Sequence, residues 1–320
     1  DLHKEYRRQR QMCIRDSTRV VVDALSDEVT YWMTMNEAAT FVGAGYLEGI
    51  HAPFERVEPK TEEFVKRTCI LTKHVLLAHG RAVQIIRERA KTKPVIGIAM
   101  DGKFFMPNDN TDEAIATAME RTYESILDCH RINWWLDPIC KGTYHPQLEN
   151  IVNDEEKAVI AEQIDFIGYN CYKANNFDDD DGPNPDVKPG IPRTAMGWAI
   201  TGDALYWAVR FIHTRYEKPI MITENGMANV DFIMSDGLVH DQQRIEFLKL
   251  YLAGLKRAAN EGYPIIGYMY WSILDNFEWA EGYDKRFGLV YVNYENQERM
   301  EKDSAIWFAN YIKQQQDEQS

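Results

Sequence analysis

PIMITENG, residues 219–226, closes an apolar run with a carboxylate, an asparagine and a glycine. Pro219-Ile220-Met221-Ile222-Thr223 is continuously apolar and β-branched, the pattern of a strand buried on both faces of a parallel sheet. Asn225 and Gly226 tolerate positive φ, so the strand is expected to break there. That places Glu224 at the carboxyl end of a strand, where parallel α/β sheets carry their chemistry. A carboxylate opening a solvated loop would produce the same short string, so the fold has to be read from the surroundings.

Four more segments have the same character: TYWMTMNE (30–37), PVIGIAM (94–100), DFIGYNCY (165–172) and PIIGYMYWSIL (264–274). Helical stripes lie between them. One runs through Leu71, Val75, Ala78, Ala82 and Ile86, a second through Leu205, Val209, Ile212 and Tyr216, and a third through Ile245, Leu248, Leu252, Leu255 and Ala259. Strands alternating with helices predict an α/β protein, either doubly wound or a (β/α)₈ TIM barrel. No glycine-rich phosphate loop follows a strand, which counts against a dinucleotide fold. Polar and aromatic residues crowd the strand ends instead: Asn36-Glu37, Asn170 with Tyr172, Glu224-Asn225, and Trp271 through Trp279. This distribution favours a barrel with one site at its mouth. A barrel needs eight strands, and five are legible.

Composition narrows the function. The chain has 320 residues, 45% of them apolar, and a formal net charge of −14, which argues against nucleic acid or an anionic membrane surface as partner. Aromatic residues make up 12% and include 8 Trp, rings that serve in cores and also stack against sugars. Cys13, Cys69, Cys129, Cys140 and Cys171 form no CxxC pair, so no metal centre or other cofactor is expected, and the setting reads as reducing and cytoplasmic. No apolar run is long enough to span a membrane. FDDDDGPNPD (177–186) does not have calcium-loop spacing and reads as a solvated acidic loop. His74 and His79 are off the spacing of a helical metal pair and read as structural.

A second strand also ends on a glutamate, with Glu37 preceded by Asn36 in YWMTMNE. Two carboxylates at strand ends, across a polar and aromatic pocket, are what glycoside hydrolysis requires. One protonates the leaving oxygen, and the other attacks or stabilises the oxocarbenium-like centre. Here the sequence resembles the family-one glycoside hydrolases, typified by β-glucosidases. YWMTMNE looks like the family's acid/base motif and ITENG like its nucleophile motif. LLAHGRAVQ, DFIGYN, WSILDNFEWAEGYDKRFGLVYV and KDSAIWF complete an ordered set running from about Thr18 to Ile312.

The resemblance implies a retaining β-glycosidase acting on terminal β-glucosyl groups of β-glucosides or cello-oligosaccharides. Glu37 would be the general acid/base and Glu224 the nucleophile. Asn36 would hold the sugar 2-hydroxyl, and Tyr172 would orient Glu224 with Asn170 close by. Trp271 would lie under the sugar ring, Glu278 and Trp279 would grip O4 and O6, and Trp198 and Phe287 would form pocket walls. A cis peptide between Trp271 and Ser272 is implied as well. The chain departs from the family pattern at Ala38, where Pro is usual, at Phe54, where Gly is usual, and at Cys171, where an aromatic is usual.

The resemblance begins just before the fourth strand, so the expected fold is an incomplete (β/α)₈ barrel with strands four to eight present and the first three missing. MCIRDS (12–17) reads in frame as ATG TGT ATA AGA GAC AG, a transposon-end adaptor. Residues 1–17 are therefore expected to be non-native, with the partial glycoside hydrolase domain at 18–320. Two alternatives accompany this reading. One is a 6-phospho-β-glycosidase, which usually carries Ser at the Glu278 position; the other is an inactive truncated sugar-binding fragment. A thioglucosidase would lack the acid/base glutamate that Glu37 supplies.

Overall fold

The computed structural model describes residues 15–175 and 190–317; the acidic run at 177–186 and residues 1–14 of the expected non-native stretch lie outside the described residues. The elements alternate as the sequence pattern predicts. A helix over 15–25 (α1) precedes β1 (Tyr31–Asn36), α2 (Ala38–Val42), α3 (Glu62–Arg89) and β2 (Val95–Met100). Next come α4 (Asp112–Thr122), α5 (Ile132–Lys141), α6 (Pro146–Glu149), α7 (Asp154–Ile160) and β3 (Phe166–Asn170). Then follow α8 (Ala204–Tyr216), β4 (Ile220–Asn225), α9 (Gln242–Asn260), β5 (Ile265–Tyr270), a short hairpin of β6 (Val290–Val292) and β7 (Arg299–Glu301), and α10 (Asp303–Asp317).

The chain divides into two compact units, Asp1–Asn170 with Ile212–Met221, and Cys171–Phe211 with Ile222–Ser320. The five long strands are ordered β1-β2-β3-β4-β5. Within the first unit β1, β2 and β3 are parallel, with Tyr31 opposite Val95 and Met100 opposite Tyr169. The Ile167 N–H donates to the Pro219 carbonyl at 2.9 Å in the same unit. In the second unit the Trp271 N–H, just past β5, donates at 2.9 Å to the carbonyl of Asn225, the last residue of β4.

Two expectations need correction. The strands were expected to be buried on both faces. β2, β3 and β4 meet this, but β1 leaves Tyr31 and Met33 exposed, and β5 leaves Ile266 and Met269 exposed. β1 and β5 are the outer strands in the order, so each has a neighbour on one side only. On α3, Ala78, Ala82 and Ile86 are buried as expected, but Leu71 and Val75 are only half-buried, and Thr68, Thr72, Leu76, His79 and Val83 share the buried face. Two of those added positions are threonines and one is histidine, so hydropathy alone did not mark the first two turns of the face. On α9, Ile245, Leu248, Leu252 and Leu255 are buried as expected, with Ala258 in place of Ala259.

Local chemistry sets the helix starts. The Thr61 side chain accepts the Phe64 N–H at 3.1 Å, with Glu62 and Glu63 in the first turn of α3. Asn153 and Glu156 form a reciprocal capping box on α7. His79, fully buried on α3, has its Nδ1 2.6 Å from the Thr34 hydroxyl, and its Nε2 makes no hydrogen bond. Burial pushes its imidazole down to about 4.

Candidate active site

In the first unit, Glu37 is the residue that follows β1. Its N–H donates to the Ala99 carbonyl at 3.0 Å, which ties the strand end to β2. Its backbone is left-handed, φ 51 and ψ 57, at the N-terminus of α2. A non-glycine residue there is strained by about 1–3 kcal/mol, and such strain concentrates at functional positions. Asn170, the last residue of β3 and 4% exposed, divides its amide between two acceptors. Its Nδ2 donates to Asn36 Oδ1 at 3.0 Å and to Glu37 Oε1 at 2.9 Å. Asn36 itself is exposed and Glu37 half-buried. An amide fork of this kind orients a carboxyl that is still within reach of an incoming group.

In the second unit, Glu224 is the penultimate residue of β4 and is half-buried among buried neighbours. The Tyr172 hydroxyl donates to Glu224 Oε2 at 2.6 Å. The Tyr172 ring in turn packs on Trp198 at 5.4 Å and Phe287 at 6.0 Å, and these two rings lie 6.2 Å apart. The phenol is thus held by three mutual ring contacts and by the carboxylate it orients. Asn225, fully buried, is a strut. Its Nδ2 donates to the Cys171 carbonyl at 2.7 Å, and its Oδ1 accepts from the Tyr268 hydroxyl at 2.8 Å.

Past β5 the Trp271–Ser272 peptide is cis, as the resemblance implied. Glu278 lies beside the Trp271 side chain, and its Oε2 is buried and makes no hydrogen bond. Burial raises its carboxyl above the ordinary range. The Trp271 contact pulls the other way, and the charge of Glu224 adds to the rise. Trp279 adjoins Glu278 but is 64% exposed, with φ 44 at the start of a 3₁₀ turn.

Within each unit, therefore, the implied residues come together: Asn36, Glu37 and Asn170 in the first, and Tyr172, Trp198, Glu224, Trp271, Glu278 and Phe287 in the second. Sequence reasoning missed Asn225 as a strut, the left-handed backbone at Glu37, and a buried ion network behind the Glu278 loop. Nothing in hydropathy marks any of these.

Among the described residues, Asp128, Cys129 and His130 alone have metal-ligand spacing. Asp128 and His130 are already engaged elsewhere. Asp128 caps the His130 N–H at 2.9 Å and faces Lys103 and Arg131, and His130 Nε2 lies 2.7 Å from Glu48. Cys69, Cys129, Cys140 and Cys171 are free thiols. No helix among the described residues is long and apolar enough to cross a membrane.

This geometry has counterparts in known proteins. The profile of glycosyl hydrolase family 1 matches residues 11–317. The chain is 38% identical over 313 residues to Beta-glucosidase A of Thermotoga maritima, covering 92% of the chain and 66% of that protein. It is 37% identical over 316 residues to 1,4-beta-D-glucan glucohydrolase of Thermotoga neapolitana, again spanning 66% of the relative's length. The solved structure of a family 1 β-glucosidase from Thermotoga maritima superposes with a TM-score of 0.81 at 35% identity, covering 96% of this chain and 68% of that one. Such a likeness supports the (β/α)₈ class for the parallel sheet seen here. With strand-end glutamates, ordered motifs and a profile match over nearly the whole length, the chain belongs to glycosyl hydrolase family 1.

Proposed function

We propose that this chain carries the catalytic pair of a retaining β-glucosidase, with Glu37 as general acid/base and Glu224 as nucleophile. On this reading its five strands are numbers four to eight of the barrel. The observation that carries the proposal is how the two glutamates are held. Asn170 donates to Glu37, and Tyr172, two places further along the chain, donates to Glu224. The relatives, named as β-glucosidases and a glucan glucohydrolase, support the same reading.

In the first step a Glu224 oxygen attacks the anomeric carbon and the bond to the leaving oxygen breaks. That oxygen takes its proton from Glu37, leaving a glycosyl ester on Glu224. In the second step Glu37, now a carboxylate, removes a proton from water. The hydroxide oxygen displaces Glu224 from the anomeric carbon, restoring the original configuration. Asn36 receives the 2-hydroxyl, whose contact tightens in the transition state. Trp271 lies under the ring, Glu278 and Trp279 take O4 and O6, and Trp198 and Phe287 wall the pocket. The substrates are aryl β-glucosides and cello-oligosaccharides. A carboxylate at 278 repels a 6-phosphorylated sugar, which disfavours the phospho-glycosidase alternative. The cysteine usage supports a cytoplasmic setting.

The test is hydrolysis of 4-nitrophenyl β-glucoside. The chain should release nitrophenol, and Glu224→Gln should lower kcat by about 10⁴-fold or more. Equal rates in both proteins would overturn the proposal, as would a preference for the 6-phosphorylated glucoside.

A further inference from the structure

Behind the Glu278 loop, the second unit gathers three cations and three carboxylates, all buried except Arg286, which is half-buried. The Arg244 and Lys302 side chains are 0% exposed. Lys302 Nζ donates to Asp231 Oδ2 at 2.6 Å, to Asp275 Oδ1 at 2.8 Å and to the Gly288 carbonyl at 2.7 Å. All three hydrogens of the ammonium are used, two of them on one loop. Arg244 reaches Asp241, Asp231 at 2.7 Å and the Arg286 carbonyl at 2.9 Å. Arg286 donates to Asp275 Oδ2 at 2.7 Å, and the Gly288 N–H donates to Asp275 Oδ1 at 2.9 Å. The charges balance, with Arg244, Arg286 and Lys302 against Asp231, Asp241 and Asp275.

This network closes the loop 275–288 at its base. Asp275 and Gly288 stand at the two ends, and a Cβ on Gly288 would meet the Asp275 nitrogen at 2.2 Å, so only glycine allows the approach. At the tip, the Glu278 N–H donates to the Gly282 carbonyl at 2.7 Å. Glu278 Oε2 is held there buried and without a partner. An unsatisfied carboxylate oxygen is costly and tends to swing to any donor within reach. A short loop fixed at its base keeps it in place.

We propose that Lys302 is a positioning residue for Glu278: its ammonium joins the two ends of the 275–288 loop and sets where the Glu278 carboxylate meets the sugar. This rests on the reading that Glu278 contacts O4 and O6. Lys302 touches no substrate and acts through the loop alone. A buried charge removed from such a network leaves its partners unpaired, so the structural cost has to be separated from the positional one.

The experiment compares kcat/KM for 4-nitrophenyl β-glucoside and β-xyloside, which lacks the C6 hydroxymethyl group, in Lys302→Met, Lys302→Arg and Glu278→Gln. Misplacing Glu278 should lower the glucoside-to-xyloside ratio about tenfold in Lys302→Met, with partial recovery in Lys302→Arg. A merely structural role lowers both substrates together and leaves the ratio unchanged, which overturns the inference. Hydrogen exchange, which needs no turnover, provides the second readout. The Glu278 and Gly288 amides should lose protection in Lys302→Met while α9 amides from Leu248 to Ala258 keep theirs. Uniform loss, or no loss, also overturns it. If Lys302→Met does not fold, Asp275→Asn takes its place, since it keeps the side-chain shape and weakens the same clamp. If Glu278→Gln leaves the ratio unchanged, the reading of Glu278 fails, and exchange alone then decides whether Lys302 holds the loop.

Discussion

Phe54 has a φ of 63 and is 67% exposed. Left-handed backbone costs a side chain with a Cβ about 1–2 kcal/mol, while glycine in its place gives up about 0.5–1 kcal/mol in the unfolded chain. The exposed ring contributes little burial to offset either amount. Phe54→Gly should therefore stabilise the protein by about 0.5–1 kcal/mol, read from the midpoint of urea unfolding. A lower midpoint would mean that the ring holds something the backbone argument misses. Gly226 teaches the converse. The sequence reading rested the strand break on its tolerance of positive φ, yet neither it nor Asn225 has a positive φ, and β4 runs through Asn225. Gly226 is required because a Cβ would lie 2.0 Å from the Trp271 carbonyl oxygen. Residue type marked both positions as special. Which constraint acts at each depended on chain segments distant in sequence, and no local pattern carries that.

At the scale of elements, strands were the most legible feature, because buried parallel strands require unbroken apolar runs. Predicted ends differ from the observed ones by a residue or two, except in 264–274, where β5 stops at Tyr270. Trp271, Ile273 and Leu274 are aromatic or apolar but belong to the loop past the strand, so hydropathy extended β5 too far. On α3 the buried face includes His79, and its burial has a pH signature. The imidazole titrates near 6.5 when unfolded and is pushed down to about 4 in the fold. Between those values the unfolded chain binds more protons, so stability falls as pH drops from 6.5 to 4. His79 should account for a loss of about 2 kcal/mol between pH 7 and pH 5. His79→Gln, followed by urea unfolding at both pH values, should show a smaller loss by that amount. An equal loss in both proteins would place the acid sensitivity elsewhere.

At the scale of the whole molecule, the strand order and the strand-end placement of both glutamates were legible, because a carboxylate at a strand end interrupts an otherwise apolar run. The network of Asp231, Arg244, Asp275, Arg286 and Lys302 was not. Its members are scattered over the last third of the chain, and each one alone resembles a surface charge. The central claim is that Glu37 and Glu224 serve opposite faces of one sugar. The anomeric configuration of the azide adduct tests it most directly, with sodium azide and a 2,4-dinitrophenyl β-glucoside as substrate. Glu224→Gly leaves the face opposite the leaving group empty, so azide attacks there and gives the α-glucosyl azide. Glu37→Ala still forms the glycosyl ester, because dinitrophenolate leaves without protonation, and azide then displaces Glu224 to give the β-glucosyl azide. The account predicts these opposite anomers; the same anomer from both variants, or no azide product from Glu37→Ala, would contradict it.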